Sequence, residues 1–368
     1  IEHFFHDYLN DIEYFKDKEF KLNMVREDSI VITRSTYKTH GIKVSDCVKF
    51  LCSASTGEDH IDKKTLDEMK IPYAFSTGAN AIAVREYILS TLALMLQEQK
   101  FNKNSNCIGI FGCGNIGDGI SDVLDHFDFE FYVEDPFVEH GWHCLDEYLS
   151  SYTKHDDHGQ FPNALNFISL HVPLHYHNEF PTLSLINKHF LQNLPDGAII
   201  VNTSRGGVVS EKDFLELDDD RHCIRLISDV FENEPNINED FLNKNLFATP
   251  HIAGHSQFAR YQMTKMAYEN VMNFLGQDIS ERNSVLENRI IYFEKNIFDK
   301  DMKEFGLPIT LMLDTYNPKS DVFNYKDFKK VRDNYNNRIG YSQVIIKGCS
   351  DEPDRESLKS LGFTVEEN

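Results

Sequence analysis

The sequence predicts an α/β protein in which parallel strands are covered by helices on both faces, and three observations support this fold class. Short apolar runs, typical of buried strands, alternate with stretches long enough to form crossover helices. The stretch CIGIFGCGNIGDGI, residues 107–120, joins an apolar run to a glycine-rich turn and a helical pattern. With 368 residues, the chain is also too long for one typical core, so two or three domains are expected.

The predicted elements of the first part of the chain are short. A helical pattern occupies residues 1–12, and a longer helix is predicted at 81–101, where Val84, Ile88 and Leu92 fall on one face. Between them the sequence predicts strands within 28–36 and 48–55, a helix at 61–70 and an extended segment at 71–75.

Apolar strands dominate the middle of the chain, and the pattern changes from about Arg282, which predicts a small separate α/β domain at the end. The acidic run at 218–220 is interpreted as a solvated loop. In order, the predicted elements are strands at 129–134, 166–174, 197–204 and 224–231, a charged helix at 325–335, a strand at 342–348 and a helix–strand pair at 356–367.

The glycine-rich turn is a candidate site for the pyrophosphate of a dinucleotide. Its glycines let the backbone approach a phosphate at a helix N-terminus, where free N–H groups and the helix dipole favour negative charge. Asp135 follows the next predicted strand, 18 residues after the last glycine, where an acid would meet a ribose diol and repel a 2′-phosphate. NAD is therefore favoured over NADP. The turn consists of Gly112, Gly114, Asn115, Ile116 and Gly117.

Polar residues follow three later strands, at the strand ends where doubly wound sheets bind ligands. VNTSRGGVV contains Arg205, SDVFENEP contains Asp229 and Glu234, and ATPHIAGH contains His251. Together with the glycine turn, these segments resemble the D-2-hydroxyacid dehydrogenase family. The resemblance implies two Rossmann-like doubly wound domains that close at a hinge, one for the substrate (1–81 with 253–281) and one for NAD (82–252).

The resemblance assigns a role to each polar residue. His251 would take the hydroxyl proton of a 2-hydroxy acid, Glu234 would orient the imidazole and stabilise its charged form, and Arg205 would hold the substrate carboxylate. Asp229 would lie near the nicotinamide amide. Further cofactor contacts are implied for Val172, Thr203, Ser204 and Gly254. Substrate contacts are implied for Ser35, Ser55 and His255. Two of these residues depart from the family pattern: the family has threonine at the position of Ser55, and tyrosine is common at the position of His255.

The tail indicates a narrower branch of the family. FKKVRDNYNNRIGYSQVIIKG and LGFTVEEN, like STGANAIAVREYIL near the predicted hinge, resemble a branch with an additional C-terminal dimerisation domain, here 282–368. This implies a homodimer that acts on a small phosphorylated 2-hydroxy acid, 4-phospho-D-erythronate. Arg34, and Arg338 from the tail of a partner subunit, are candidates for binding its phosphate.

Two alternative functions remain open from the sequence. One is a different D-2-hydroxyacid dehydrogenase, such as one that acts on 3-phosphoglycerate, although the tail argues against it. The other is a protein that senses NAD and acts through interactions, as corepressors with this fold do. Tolerance of His251→Ala would favour the interaction protein.

Composition excludes several other classes of function. The formal net charge of −22 argues against binding to nucleic acid or anionic membranes. No apolar run approaches the roughly 20 residues of a membrane span. The seven cysteines include no C-x-x-C pair, so reduced thiols in a cytoplasmic protein are expected. No metal is expected, because HYH at 175–177 has no evident third ligand.

Overall fold

The computed structural model describes residues 21–137, 165–176, 179–217, 223–279 and 286–366. The predictions for residues 1–12, 218–220 and His177 lie outside these ranges. The chain divides into two compact units, Ile1–Ile82 with Ser256–Leu286 and Ala83–His255 with Glu287–Asn368, and each unit is described by itself.

Strands and helices alternate through much of the described chain, as the sequence predicts. The strands are β1 (Ser29–Thr33), β2 (Val48–Ser53), β3 (Tyr73–Phe75), β4 (Cys107–Phe111), β5 (Phe131–Glu134), β6 (Leu165–Leu170), β7 (Ile199–Asn202), β8 (Arg225–Ser228), β9 (Phe247–Ala248), β10 (Arg289–Tyr292), β11 (Val344–Lys347) and β12 (Thr364–Glu366). The helices are α1 (Lys63–Glu68), α2 (Ala81–Gln97), α3 (Gly117–His126), α4 (Lys188–Gln192), α5 (Glu211–Leu215), α6 (Glu239–Lys244), α7 (Gln257–Leu275), α8 (Lys295–Phe305), α9 (Ile309–Thr315), α10 (Phe328–Asp333) and α11 (Glu352–Ser360).

The first unit is built on a parallel three-stranded sheet in the order β1-β2-β3. The central strand β2 is covered on both faces, which explains its nearly continuous apolar sequence. Leu51 belongs to a cluster with Leu66 of α1, whereas Phe50 and Cys52 belong to a cluster with Tyr268 of α7. A helix distant in sequence therefore completes the core of this unit.

The second unit contains a parallel six-stranded sheet in the order β5-β4-β6-β7-β8-β9. Successive residues of β4 face opposite clusters: Ile108 and Ile110 lie in one, and Cys107 and Phe111 in the other. The strand order reverses at β4, because β5 lies on one side of it and β6 on the other. Such a reversal opens a crevice at the carboxyl ends of the strands, where doubly wound sheets bind ligands.

The C-terminal segment forms its own parallel sheet, in the order β10-β11-β12, within the second unit. Its apolar side chains, including Met312 and Ile346, belong to the same hydrophobic cluster as Ile88 and Leu92 of α2. The predicted charged helix, strand and helix–strand pair are present as α10, β11, α11 and β12. The division of the chain into three domains remains a prediction.

Candidate active site

The glycine turn follows β4 and leads into α3. Gly112 has φ +94°, and a Cβ on it would lie 2.9 Å from the backbone of His171. A Cβ on Gly117 would lie 2.0 Å from the carbonyl oxygen of Gly112, so both positions require glycine. A Cβ on Gly114 would meet no protein atom within 4 Å, so its backbone is open to close approach. This combination fits the pyrophosphate of a dinucleotide.

Asp135 lies immediately after β5 and contacts the glycine turn. Its Oδ2 accepts a hydrogen bond from the backbone N–H of Cys113 (2.7 Å), and its Oδ1 accepts one from that of Phe137 (3.0 Å). The preceding residue, Glu134, is partly buried. Burial is the larger, and the charge of Asp135 the smaller, of the two causes that raise the pKa of Glu134 to about 7. The sequence pattern alone does not separate these two acids.

The loop after β7 carries Arg205. Ser204 donates from both its backbone N–H and its Oγ to Asn202 Oδ1 (3.1 and 2.7 Å), and Asn202 Nδ2 donates to the carbonyl oxygen of Arg205 (3.1 Å). The Arg205 side chain donates from Nη1 to the Ser204 carbonyl oxygen (2.8 Å). Thr203 Oγ1 is buried with no hydrogen-bond partner among the described residues, which fits a hydroxyl that binds a cofactor.

Asp229, at the end of β8, organises the loop that carries His251. Its Oδ1 accepts hydrogen bonds from Thr249 Oγ1 and the backbone N–H of Ile252 (both 2.7 Å), and its Oδ2 accepts one from the N–H of Ala253 (2.9 Å). Burial raises the pKa of Asp229, and the charge of His251 and these hydrogen bonds oppose the rise. Asp229 therefore holds the His251 loop by its backbone, a structural role in addition to the predicted contact with nicotinamide.

His251 and Glu234 form the central pair of the site. His251 Nδ1 and Glu234 Oε2 are 2.7 Å apart, and Glu234 Oε1 accepts a hydrogen bond from the backbone N–H of Phe231 (3.0 Å). Burial acts to raise the pKa of Glu234, but the charge of His251 and the hydrogen bonds prevail and hold it below its ordinary value. An ionised carboxylate only accepts, so Nδ1 carries the hydrogen and Nε2 is left to accept a proton from a ligand.

The predicted substrate-contacting residues fall in different units. Ser35 and Ser55 follow β1 and β2 in the first unit, where the backbone N–H of Ser35 donates to Ser55 Oγ (2.7 Å). His255 belongs to the second unit, in the same loop as Gly254. Its ring centroid is 6.2 Å from that of Tyr335. The remaining predicted site residues, Asn115, Ile116 and Val172 among them, also belong to the second unit.

The prediction that Arg338 reaches the substrate phosphate from a partner subunit is wrong. Its side chain is buried in its own chain, with the guanidinium 4.3 Å above the Tyr316 ring. Nη1 donates to the carbonyl oxygens of Ile252 and His255 (both 3.1 Å), and Nη2 donates to those of Ala83 and Ala253 (both 2.6 Å).

Arg338 thus binds carbonyl oxygens of the His251 loop, whereas Asp229 binds N–H groups of the same loop. The sequence could not reveal this, because an arginine that binds carbonyl oxygens leaves no motif in the segments that supply them. The same holds for Arg332, which contacts Glu234.

Within the described ranges, no group of three or more ligating side chains could hold a metal ion. No helix in those ranges is long and apolar enough to cross a membrane.

Comparison with known proteins first defines the class. Residues 93–253 match the family model described as "D-isomer specific 2-hydroxyacid dehydrogenase, NAD binding domain". The structure of NAD⁺-bound 3-phosphoglycerate dehydrogenase from Entamoeba histolytica is similar in fold, with a TM-score of 0.54 and 23% identity, covering 75% of this chain and 89% of that one. The second unit therefore contains an NAD-binding domain of this class.

The particular family follows from the curated relatives. The erythronate-4-phosphate dehydrogenase of Wigglesworthia glossinidia brevipalpis is 31% identical over 326 residues, covering 87% of this chain and 84% of that protein. The protein of the same name from Bacteroides fragilis is 32% identical over 267 residues, covering 72% of this chain and 74% of that protein. The chain belongs to the D-isomer specific 2-hydroxyacid dehydrogenases, in the family of the erythronate-4-phosphate dehydrogenases.

Proposed function

We propose that this chain is an NAD-dependent dehydrogenase that oxidises the C2 hydroxyl of 4-phospho-D-erythronate to 2-oxo-3-hydroxy-4-phosphobutanoate, in the biosynthesis of pyridoxal 5′-phosphate (vitamin B6). The observation that carries the proposal is the 2.7 Å contact between His251 Nδ1 and Glu234 Oε2, in the unit that contains the glycine turn. The names of the curated relatives support this substrate.

The chemistry divides between the cofactor and the side chains. Bound NAD supplies the acceptor for the hydride that leaves C2. His251 Nε2 accepts the hydroxyl proton, and Glu234 keeps the imidazole in the tautomer and orientation that allow this. Arg205 binds the carboxylate of the substrate by charge-assisted hydrogen bonds and polarises the developing carbonyl.

The geometry of the second unit supports the proposed cofactor contacts. The N–H groups around Gly114 bind the pyrophosphate at the start of α3, and Asp135 binds the ribose diol. The buried Thr203 hydroxyl, which has no partner in the part of the chain that the structure describes, supplies a further polar contact. Ser204, Asp229, Gly254 and Val172 complete the proposed NAD site.

The wider assignments are also part of the proposal. Ser35, Ser55 and His255 contact the substrate, the enzyme is a homodimer through residues 282–368, and the hinges lie near 80–83 and 252–255. A cytoplasmic location is supported by the cysteines of the described residues, which are all free thiols. Size-exclusion chromatography with light scattering tests the homodimer, and a monomer at micromolar concentration would contradict it.

The function is tested by following the near-ultraviolet absorbance of reduced nicotinamide with purified protein, 4-phospho-D-erythronate, NAD and a 2-oxo acid acceptor. Consumption of the acceptor is measured as well, because an enzyme that retains its cofactor releases no reduced nicotinamide. The expected result is turnover with the erythronate and little with 3-phospho-D-glycerate. Turnover with the glycerate alone would overturn the substrate, and bound NAD without turnover on either would favour an interaction protein.

Replacing Asp135 with serine is expected to weaken NAD binding and to lower the preference for NAD over NADP by about tenfold or more. The reason is the loss of a charge-assisted contact with the ribose together with the loss of repulsion toward a 2′-phosphate. Isothermal titration calorimetry with each cofactor gives the two dissociation constants. The matched control is Asp122→Ser, which removes an exposed acid from α3. An equal change in both variants would show that the effect comes from overall charge.

A further inference from the structure

Arg332 contacts the same carboxylate oxygen as the proposed catalytic base. Its Nη1 lies 3.5 Å from Glu234 Oε2, the atom that is 2.7 Å from His251 Nδ1. The Arg332 and Glu234 side chains are partly shielded from solvent, with exposed fractions of 31% and 17%. A cation outside the three predicted catalytic residues therefore shares the carboxylate that orients the imidazole.

The helix that carries Arg332 is anchored next to this pair. Phe328, in the first turn of α10, is buried, and its ring stands nearly perpendicular to that of Phe231, with the centroids 5.8 Å apart. The backbone N–H of Phe231 donates to Glu234 Oε1. Phe231 thus packs against α10 through its side chain and holds Glu234 through its backbone N–H. These two contacts limit how far Arg332 can move from the carboxylate.

Acidic side chains also lie near the pair, whereas Arg205 and Arg338, two other cations of this unit, donate to backbone carbonyl oxygens. Among the described residues, Glu211 at the start of α5 and Glu232 exchange backbone-to-carboxylate hydrogen bonds, and Asp229 holds the His251 loop. The charge of Glu234 acts on Glu211, and that of His251 acts on Asp229. Burial is the main cause that raises the pKa of Glu211 to about 7. Uncompensated, these acids would favour the protonated imidazole, which cannot act as a base.

We propose that Arg332 is a positioning residue that acts through Glu234 on His251. By sharing the Glu234 carboxylate, its guanidinium limits the stabilisation of the protonated imidazole and keeps the base available at lower pH. The inference rests on the proposed function, in which His251 accepts the hydroxyl proton. Through Arg332, the C-terminal segment would then influence the reaction at the site of its own chain.

The first test is the pH dependence of kcat/KM for oxidation of 4-phospho-D-erythronate. In Arg332→Gln, the acid limb of the profile is expected to move to higher pH by about half a pH unit, and by less in high salt because ions screen the pair. Arg332→Lys keeps the positive charge, so its profile should lie close to that of the wild type. Lys329→Gln is the matched control, since it removes an exposed cation from the same helix.

The second test needs no substrate. The titration of His251 is followed by NMR in protein labelled with ¹³C-histidine, and its signal is identified by its absence in His251→Asn. Its midpoint is expected to be higher in Arg332→Gln than in the wild type or Lys329→Gln. An unchanged midpoint, or an equal change in the control, would overturn the role of Arg332. A shifted midpoint in a protein without turnover would instead overturn the proposed function and leave the electrostatic coupling established.

Discussion

Replacement of His251 by alanine is expected to lower kcat by about 100- to 10,000-fold. In the proposed reaction the imidazole accepts the hydroxyl proton, because Glu234 is engaged by His251 Nδ1 and by the backbone N–H of Phe231. Alanine removes the base and leaves NAD binding largely intact, since the proposed pyrophosphate contacts come from the glycine turn. The measurement is the steady-state rate of reduced-nicotinamide formation, with NAD affinity measured by calorimetry.

A matched control makes this result specific. His189→Ala removes an exposed histidine from α4 of the same unit and should leave kcat within about twofold of the wild type, as surface substitutions usually do. Retention of more than about one tenth of the wild-type kcat in His251→Ala would contradict the assignment of His251 as the base. A parallel loss of NAD affinity would show that alanine disturbs the loop, in which His251 itself has φ +57°.

Replacement of Arg338 by methionine is expected to destabilise the second unit by about 3–5 kcal/mol, the range for removing one partner of a buried charged group. Four backbone carbonyl oxygens, those of Ala83, Ile252, Ala253 and His255, would each lose one donor. The measurement is urea-induced unfolding, together with amide hydrogen exchange in residues 249–255. Faster exchange in that segment would localise the effect to the His251 loop.

The loss of stability in this variant should depend on pH. Burial raises the pKa of Glu86 from 4.5 to about 7, and the charge of Arg338 opposes the rise. Because the pKa is higher in the folded state, ionisation of Glu86 lowers the free energy of unfolding progressively between pH 4.5 and about 7. Without Arg338 the pKa of Glu86 rises further, so the free energy of unfolding continues to fall as the pH increases above about 7. The destabilisation should therefore be larger near about pH 8.5 than near about pH 5.5.

Arg289→Met is the control for this experiment. Arg289 is exposed and donates one hydrogen bond, from Nη1 to the carbonyl oxygen of Asp314 (2.9 Å). Its replacement should change the free energy of unfolding by less than about 1 kcal/mol. Similar losses of stability in both variants, or a loss in Arg338→Met that does not change with pH, would contradict the role assigned to the buried arginine.

The parallel sheet of the second unit could be predicted from the sequence because its strands are buried on both faces. A strand such as β4 is then a continuous apolar run ending at a glycine, and the pattern is visible without knowledge of its neighbours. The very short β9 gives no such signal, since two residues carry no periodicity. Strand β10 is also absent from the predictions, and its mostly exposed residues, such as Tyr292, explain why.

The sequence alone predicts the glycine turn, Asp135, Arg205, Glu234 and His251 as site residues, because each lies directly after a strand or in a local motif. Contacts made by residues far apart in the chain were decided only by the tertiary structure. The arginines of the C-terminal segment show this: Arg338 reaches Ala83 and Ile252, and Arg332 reaches Glu234. An arginine binds any correctly placed carbonyl or carboxylate oxygen, so its partner depends on where the fold places it and not on the residues beside it.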